Sequence, residues 1–238
     1  KILTNRNIIE RAKKIMPYLM YDENPYLVIT DDGKLVWVLD AYTTASTYPY
    51  SQKTTINNNY INKTELNYIR NSVKVLIDAY DGTVEFYITD RTDPIVMAYR
   101  NAYPELFQDL EKQIPEDISN HFVYPEYLYS IQAEILKRYH ESQTDVIYRA
   151  TDVWDIATYS EGVSDKTTIT PISPYYIMLK TVDSNENKLG LVLPYTILGK
   201  QNIASYLVGT YKDGKPVLKL YEFSEGTNVL GTMQLDTQ

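Results

Sequence analysis

The chain has 238 residues, 31 Asp and Glu against 23 Lys and Arg, a net charge of −8, and no cysteine. The acidic balance argues against a nucleic-acid-binding surface and offers nothing to an anionic membrane. The lack of cysteine excludes disulfides, thiolate metal sites and cysteine catalysis.

Residues 5–16 predict a first helix, because Ile8, Ile9, Ala12, Ile15 and Met16 recur at the spacing of one buried face, with Asn5 or Asn7 as cap. Pro17 and Pro25 keep the following chain out of helix. Two β-rich runs, 26–30 and 35–39, flank Asp31-Asp32-Gly33 and read as a hairpin. The polar stretch 43–64 reads as a long surface loop, with order expected at Tyr48-Pro49-Tyr50-Ser51. A second hairpin joins 72–77 to 83–88 through Asp81-Gly82. Asp40-Ala41-Tyr42 and Asp78-Ala79-Tyr80 each follow an apolar run. Both read as strand ends, where a short acid accepts local backbone N–H bonds and starts a turn.

Asp93-Pro94 is a helix start, with Asp as cap and Pro at the first position. Leu106, Phe107, Leu110 and Ile114 predict a short second helix. Pro125 opens a third, running to His140, and 144–156 is expected to be helical in part. Residues 157–174 read as a loop. Two further hairpins are expected. One joins 175–182 to 189–193 across a polar turn at 183–187; the other joins 203–211 to 217–223 across 212–215. The fold class is therefore α+β, an antiparallel sheet built from successive hairpins with a helical segment in the middle of the chain. It is read as one domain over 1–238, β-rich at 21–90, helical at 92–156 and β-rich at 175–223.

Few residues point to chemistry. His121 and His140 lie in no metal-binding spacing, and His140 follows Lys137 and Arg138 at a helix end, where positive groups complement the dipole. Asp78, Asp81 and Glu85 bracket a turn without the alternating ligands of a calcium loop. Asp152 and Asp155 flank Trp154 and read as capping or surface charge. No phosphate-binding loop or serine elbow occurs. Asn62-Lys63-Thr64 fits a glycosylation triplet. Trp37, Tyr42, Tyr48 and Tyr50 are candidates for an aromatic platform for a glycan or peptide. No metal or cofactor is expected.

Several strings taken in order resemble a known family. They are Asn24-Pro25-Tyr26, Asp40-Ala41-Tyr42-Thr43, Tyr48-Pro49-Tyr50-Ser51, NYIRNSVK at 67–74 and DAYDG at 78–82. His121, Tyr124-Pro125-Glu126, Gln132, Tyr139-His140, Asp152 with Trp154, Pro174-Tyr175-Tyr176 and Gln201-Asn202 continue the order. Together they resemble uncharacterised protein family 0182, a set of large bacterial membrane proteins. The resemblance implies a multi-pass membrane region in the parent protein at the cell membrane, with this chain a piece of its extracytoplasmic part. The opening at Lys1 leads to the same expectation of a fragment. The implied partner is the membrane-embedded part of the same polypeptide, with a cell-envelope glycan or protein as a further candidate and nucleic acid excluded.

Two readings follow. The first is a non-catalytic binding or assembly domain, with Tyr42, Tyr48 and Tyr50 as its ligand surface. The alternative is an envelope-associated hydrolase using the carboxylates Asp40, Asp78 and Asp81 from separate strand ends.

Overall fold

The computed structural model describes residues 4–58, 61–150, 152–161, 168–180, 187–212, 214–224, 227 and 229–232. It is a mixed α+β structure in which the paired strands of every sheet run antiparallel and helices occupy the middle of the chain. The chain divides into two compact units, residues 1–128 and 129–238.

The first unit opens with α1 (Ile8–Ile15), whose Asn7 cap accepts from the backbone N–H groups of Ile9 and Glu10. Its central sheet contains β1 (Met20–Tyr21), β2 (Tyr26–Ile29), β3 (Leu35–Ala45), β6 (Tyr68–Asp78) and β7 (Val84–Ile88). A separate hairpin, β4 (Thr54–Asn58) and β5 (Ile61–Leu66), lies between β3 and β6 in sequence. Then follow α2 (Pro94–Ala102), capped by Asp93 as expected, the single turn α3 (Glu116–Ser119), and the start of α4 (Glu126–Tyr139).

β3 and β6 are the spine of this unit, two eleven-residue strands paired from Val36↔Asp78 to Ala45↔Tyr68. Side chains alternate across a strand, so each contributes to two faces. Leu39 and Ala41 of β3 join Val73, Val75 and Ile77 of β6, with Phe86 of β7, Ala12 and Met16 at α1, and Val96 of α2 in one buried cluster. The opposite face carries Val38, Asp40, Lys74 and Leu76, all buried. Phe122 and Tyr127 meet that face, with the Lys74 ammonium 4.8 Å from the Phe122 ring centroid and the Tyr127 ring 5.8 Å from that of Tyr42.

The second unit holds most of α4, then α5 (Thr144–Arg149), β8 (Trp154–Ile156), the hairpin β9 (Thr158–Glu161) and β10 (Thr168–Pro171), and β11 (Tyr175–Lys180), β12 (Asn187–Ile197), β13 (Ile203–Lys212) and β14 (Lys215–Glu222). The last four form a sheet in chain order, with β8 also pairing β12. Helix α4 is bolted to this sheet by two buried phenols. Tyr129 donates to the Leu207 carbonyl at 2.8 Å, and Tyr195 donates back to the Ala133 carbonyl at 2.8 Å.

Several elements differ from the sequence reading. Asp40-Ala41-Tyr42 does not end a strand, since β3 continues through it to Ala45. The stretch 43–64 is largely strand, because Thr and Ile suit a pleated backbone even where the pattern is too polar to announce it. The helix expected over 106–114 is absent. Phe107 instead bridges Phe86 in parallel, Gln108 N–H donates to the Phe86 carbonyl at 2.9 Å, and the two rings meet edge to face. A nine-residue helix has little stability of its own, so the tertiary contact decides the conformation. The stretch 144–156 is helical in part, as expected, at α5, but 154–156 is strand, and 158–161 with 168–171 form a hairpin within the expected loop. The expected polar turn at 183–186 and Asp213 lie outside the described residues.

Candidate functional site

The first candidate feature is the corner after β3. Asn67, just before β6, clamps it from both sides. Its Oδ1 accepts from Tyr48 N–H at 3.0 Å, and its Nδ2 donates to the Tyr48 carbonyl at 2.9 Å and the Ser51 carbonyl at 3.2 Å. The Ser51 hydroxyl donates to the Asn67 carbonyl at 3.0 Å, and Asn67 N–H donates to the Ala45 carbonyl. Tyr48 is half-exposed and stacks on Tyr68 with ring centroids 5.3 Å apart. The Arg70 guanidinium lies 5.8 Å from the Tyr68 ring and pairs with Asp90.

Tyr50 stands fully exposed at the tip. Its φ is +58°, a left-handed conformation that costs a non-glycine residue roughly 1–2 kcal/mol. Such strain persists only where surrounding structure holds it. Here the Asn67 clamp and the fixed φ of Pro49 provide that frame.

Asp40 and Tyr42 belong to a different place, the buried polar layer on the second face of the sheet. Lys74 donates to Asp40, its directly paired neighbour across β3 and β6, and both are buried. Burial pushes the Asp40 carboxyl up, against the pull of Lys74. The Tyr42 hydroxyl donates to Asp22 at 2.5 Å, and its ring is wholly buried. Burial first, and then the Asp22 and Asp40 carboxylates, push this phenol well above its ordinary range. Beside it, Asn24 donates to Glu126 at 3.1 Å, and the Glu126 carboxyl is raised by burial and by Asp22.

A second buried acid, Asp93, gathers the sheet onto α2. Each of its oxygens accepts two hydrogen bonds: Thr43 and Ser72 hydroxyls on one, Tyr68 hydroxyl and Ile95 N–H on the other. The register makes this possible. Ala41 pairs with Val73 but Thr43 with Arg70, so Asn71 and Ser72 together face Tyr42 in a bulge that turns Ser72 toward the acid. Burial pushes the Asp93 carboxyl up, but the bonds from Ser72, Thr43, Tyr68 and Ile95 outweigh it and hold the carboxyl below its ordinary value. The Tyr68 phenol is pushed up to about 12 by burial and by its bond to Asp93.

Asp78 and Asp81 shape the β6–β7 turn. Asp78 accepts from the N–H groups of Tyr80 and Asp81, and Asp81 accepts from Thr83 N–H, all at exposed positions. Gly82 takes φ +72° there, and its carbonyl accepts from Arg11 Nε of α1 at 2.6 Å. The positive φ is what favours glycine, and a Cβ there would also sit 2.9 Å from that guanidinium, which would have to move.

The sequence candidates are thus dispersed. Asp78 and Asp81 share one turn, and Tyr48 and Tyr50 share one corner. The corner follows β3 and the turn follows β6, so they lie at opposite ends of the strand pair, roughly 30 Å apart. Asp40 lies four residues along the strand from the register position of Asp78, roughly 13 Å. That exceeds the roughly 5–9.5 Å separation at which paired carboxylates cleave glycosidic bonds. Trp37 packs against the main core cluster. Asn67, Tyr68 and Asp93 were not singled out from the sequence as site residues, although Asn67 and Tyr68 lie within the NYIRNSVK string.

In the second unit, His140 is an internal packing element. Its ring stacks on Trp154 at 3.7 Å, Nδ1 lies 3.1 Å from the Leu136 carbonyl, and Nε2 lies 3.4 Å from Asp152. Asp155 pairs with Lys137 of α4 at 3.0 Å. Among the described residues no group of three or more His, Asp or Glu side chains is placed to hold a metal ion. The side chain of Asn62 lies outside the described residues.

The chain is therefore an α+β segment of antiparallel hairpin sheets, with buried acids built into its frame and a clamped aromatic corner. It belongs to the uncharacterised protein family UPF0182, which matches it over residues 1–238. It is 43% identical over 237 residues to a UPF0182 protein of Caldicellulosiruptor saccharolyticus, covering 99% of this chain and 25% of that protein. Similarity to a UPF0182 protein of Desulfitobacterium hafniense is 39% over 245 residues, covering 100% and 24%. With a UPF0182 protein of Microcystis aeruginosa it is 40% over 243 residues, covering 99% and 24%. The chain thus spans about a quarter of the length of these curated relatives. No solved structure matches it.

Proposed function

We propose that this chain is an extracytoplasmic docking domain of a larger bacterial membrane protein, binding a protein surface through the Tyr48–Ser51 corner rather than catalysing a reaction. The single observation that carries the reading is Tyr50. A fully exposed aromatic ring is held in a strained left-handed backbone by a rigid clamp. Strain kept at the surface, around a ring that packs on nothing among the described residues, fits a group prepared for a partner. The corner reads Ser46-Thr47-Tyr48-Pro49-Tyr50-Ser51 and carries no charge. Tyrosine gives a large contact at small entropic cost and serine gives adaptable hydrogen bonds, the composition of antibody binding loops.

The partner of first choice is the membrane-embedded remainder of the same polypeptide. The fact that the chain spans a quarter of its relatives supports this, since three quarters of each lie outside it. No helix among the described residues is long and apolar enough to cross a membrane, so any spans must lie elsewhere or be built otherwise. The family resemblance supports, as part of the same proposal, membrane attachment of the parent and an extracytoplasmic position for this domain.

The test is site-specific photo-crosslinking in the full-length parent, with p-benzoylphenylalanine in place of Tyr50. A defined cross-link to a protein segment, mapped by mass spectrometry, is expected. Absence of a protein cross-link, with binding of peptidoglycan fragments abolished by Tyr50→Ala, would replace the protein partner with a glycan. Absence of both would remove the reading.

A further inference from the structure

The five-stranded sheet of the second unit ends on β14 at one side and, at the other, on β11 with the short β8 further along the same side of β12; β14 and β11 are built on opposite principles. An edge strand offers a row of backbone N–H and C=O groups to any extended chain, so free edges are normally closed with lysine, proline, short length or a bulge. The β14 edge has two of these guards, lysine and proline. It carries Lys215, Pro216, Lys219 and Glu222 within eight residues. The β11 edge, six residues long, has no lysine, proline or bulge along its first five residues, Tyr175-Tyr176-Ile177-Met178-Leu179, and its register with β12 is unbroken from Tyr175↔Val192 to Lys180↔Asn187. Charge appears only at Lys180.

The exposure pattern says more. A strand with one covered face shows alternate burial, because successive side chains point to opposite sides. In β11 four consecutive residues, Tyr175, Tyr176, Ile177 and Met178, are 41–60% exposed. Leu189, the β12 neighbour paired with Met178, is 42% exposed. By contrast β12 is buried without interruption from Gly190 to Thr196. An apolar strand exposed on both faces, at the unguarded edge of a well-buried sheet, is the acceptor geometry of strand addition.

We propose that β11 is completed by an extended strand from the part of the parent polypeptide outside these 238 residues, running along its outer edge with apolar side chains on both faces. Two observations favour that occupant over a second copy. The relatives are about four times the length of this chain, so in a parent of that length tethered polypeptide could reach this edge at high effective concentration. Each copy carries a net charge of −8, which opposes edge-to-edge pairing of copies. The inference rests on reading the chain as a docking domain but uses residues in the other unit, so the two fail separately.

The experiment is residue-resolved hydrogen exchange on the full-length parent in lipid nanodiscs. Both alternate sets of β11 amides, those facing β12 and those facing outward, are expected to be protected, the outward set by about 100-fold or more over an exposed strand edge. Met178→Lys is expected to remove the outward protection while β13 keeps its own. If that variant fails to fold, the wild-type exchange pattern decides alone. Outward amides exchanging at the rate of exposed loops would overturn the proposal. Protection that disappears on dilution to monomers would also overturn it, in favour of a second copy. Either failure leaves the Tyr50 cross-link untouched, and loss of that cross-link leaves this result standing.

Discussion

Asp40 and Lys74 are direct partners across β3 and β6, and both are buried with the charge of each answered by the other. The pair sits in a strand position that the sequence pattern alone reads as a corner. It accounts for a lysine in an otherwise apolar run, Val73 to Ile77, which would be costly to bury alone.

Removing one member therefore has a pH-dependent effect. In Lys74→Met the Asp40 carboxyl, already raised by burial, loses the lysine that pulls it down and rises further. A group whose folded pKa is raised supports folding while protonated and loses that support as pH rises through the folded value. The variant should therefore be close to wild type near pH 4. Its deficit should grow toward neutral pH, to about 3–5 kcal/mol. Urea unfolding at several pH values measures this, and a deficit independent of pH would contradict it. The double variant Asp40→Leu/Lys74→Met should recover most of the loss, because no buried charge is left unpaired.

Asp93 gives the opposite sign. Its folded carboxyl lies below the ordinary value, so its contribution is present above about pH 4 and disappears as pH falls through the lower folded value. Asp93→Ala removes the α2 cap and orphans buried hydroxyls, and should cost about 2–4 kcal/mol at pH 7. The gap to wild type should narrow on acidification below pH 4. A gap that widens there would show that the acid is held neutral.

The Asn67 clamp separates stability from presentation. Asn67→Ala removes three side-chain hydrogen bonds and should destabilise the chain by about 1–3 kcal/mol. Tyr50→Gly relieves the left-handed strain but adds backbone entropy to the unfolded chain, so stability should change by less than about 1 kcal/mol. Yet Tyr50→Gly is expected to weaken docking at least as much as Asn67→Ala. Equal docking by both variants and wild type would leave the corner without a role.

The proposed extracytoplasmic position is testable because the chain contains no cysteine. Tyr80→Cys, at an exposed turn position, gives one thiol once any cysteine elsewhere in the parent is replaced. Intact cells should label with a membrane-impermeant maleimide. Labelling only after lysis would place the domain on the cytoplasmic side.

Much of the fold was legible because it rests on local chemistry. Asn7 and Asp93 cap their helices as their types require, and Asp81-Gly82 makes its turn. The segment after Ala41 was not legible. Thr43 looks like loop but is a buried donor to Asp93, a partner fifty residues away that no local pattern reveals. Phe107 failed for the same reason, since its bridge to Phe86 outweighs its helical spacing. Of the site, Tyr48 and Tyr50 were found from composition and the Tyr-Pro-Tyr turn signal. Tyr42 was misplaced because alternation decides its face only once the length of β3 is known. The Asn67 clamp was invisible, because an asparagine before a strand reads as ordinary turn chemistry.

The most direct measurement of the docking claim is hydroxyl-radical footprinting of the intact parent, comparing Tyr50 with Tyr80. Both rings are exposed in this chain, Tyr80 at 75%. A partner on the corner predicts that Tyr50 is protected at least about tenfold relative to Tyr80, and that Asn67→Ala abolishes the difference. Equal modification of the two tyrosines in the intact protein would contradict the account.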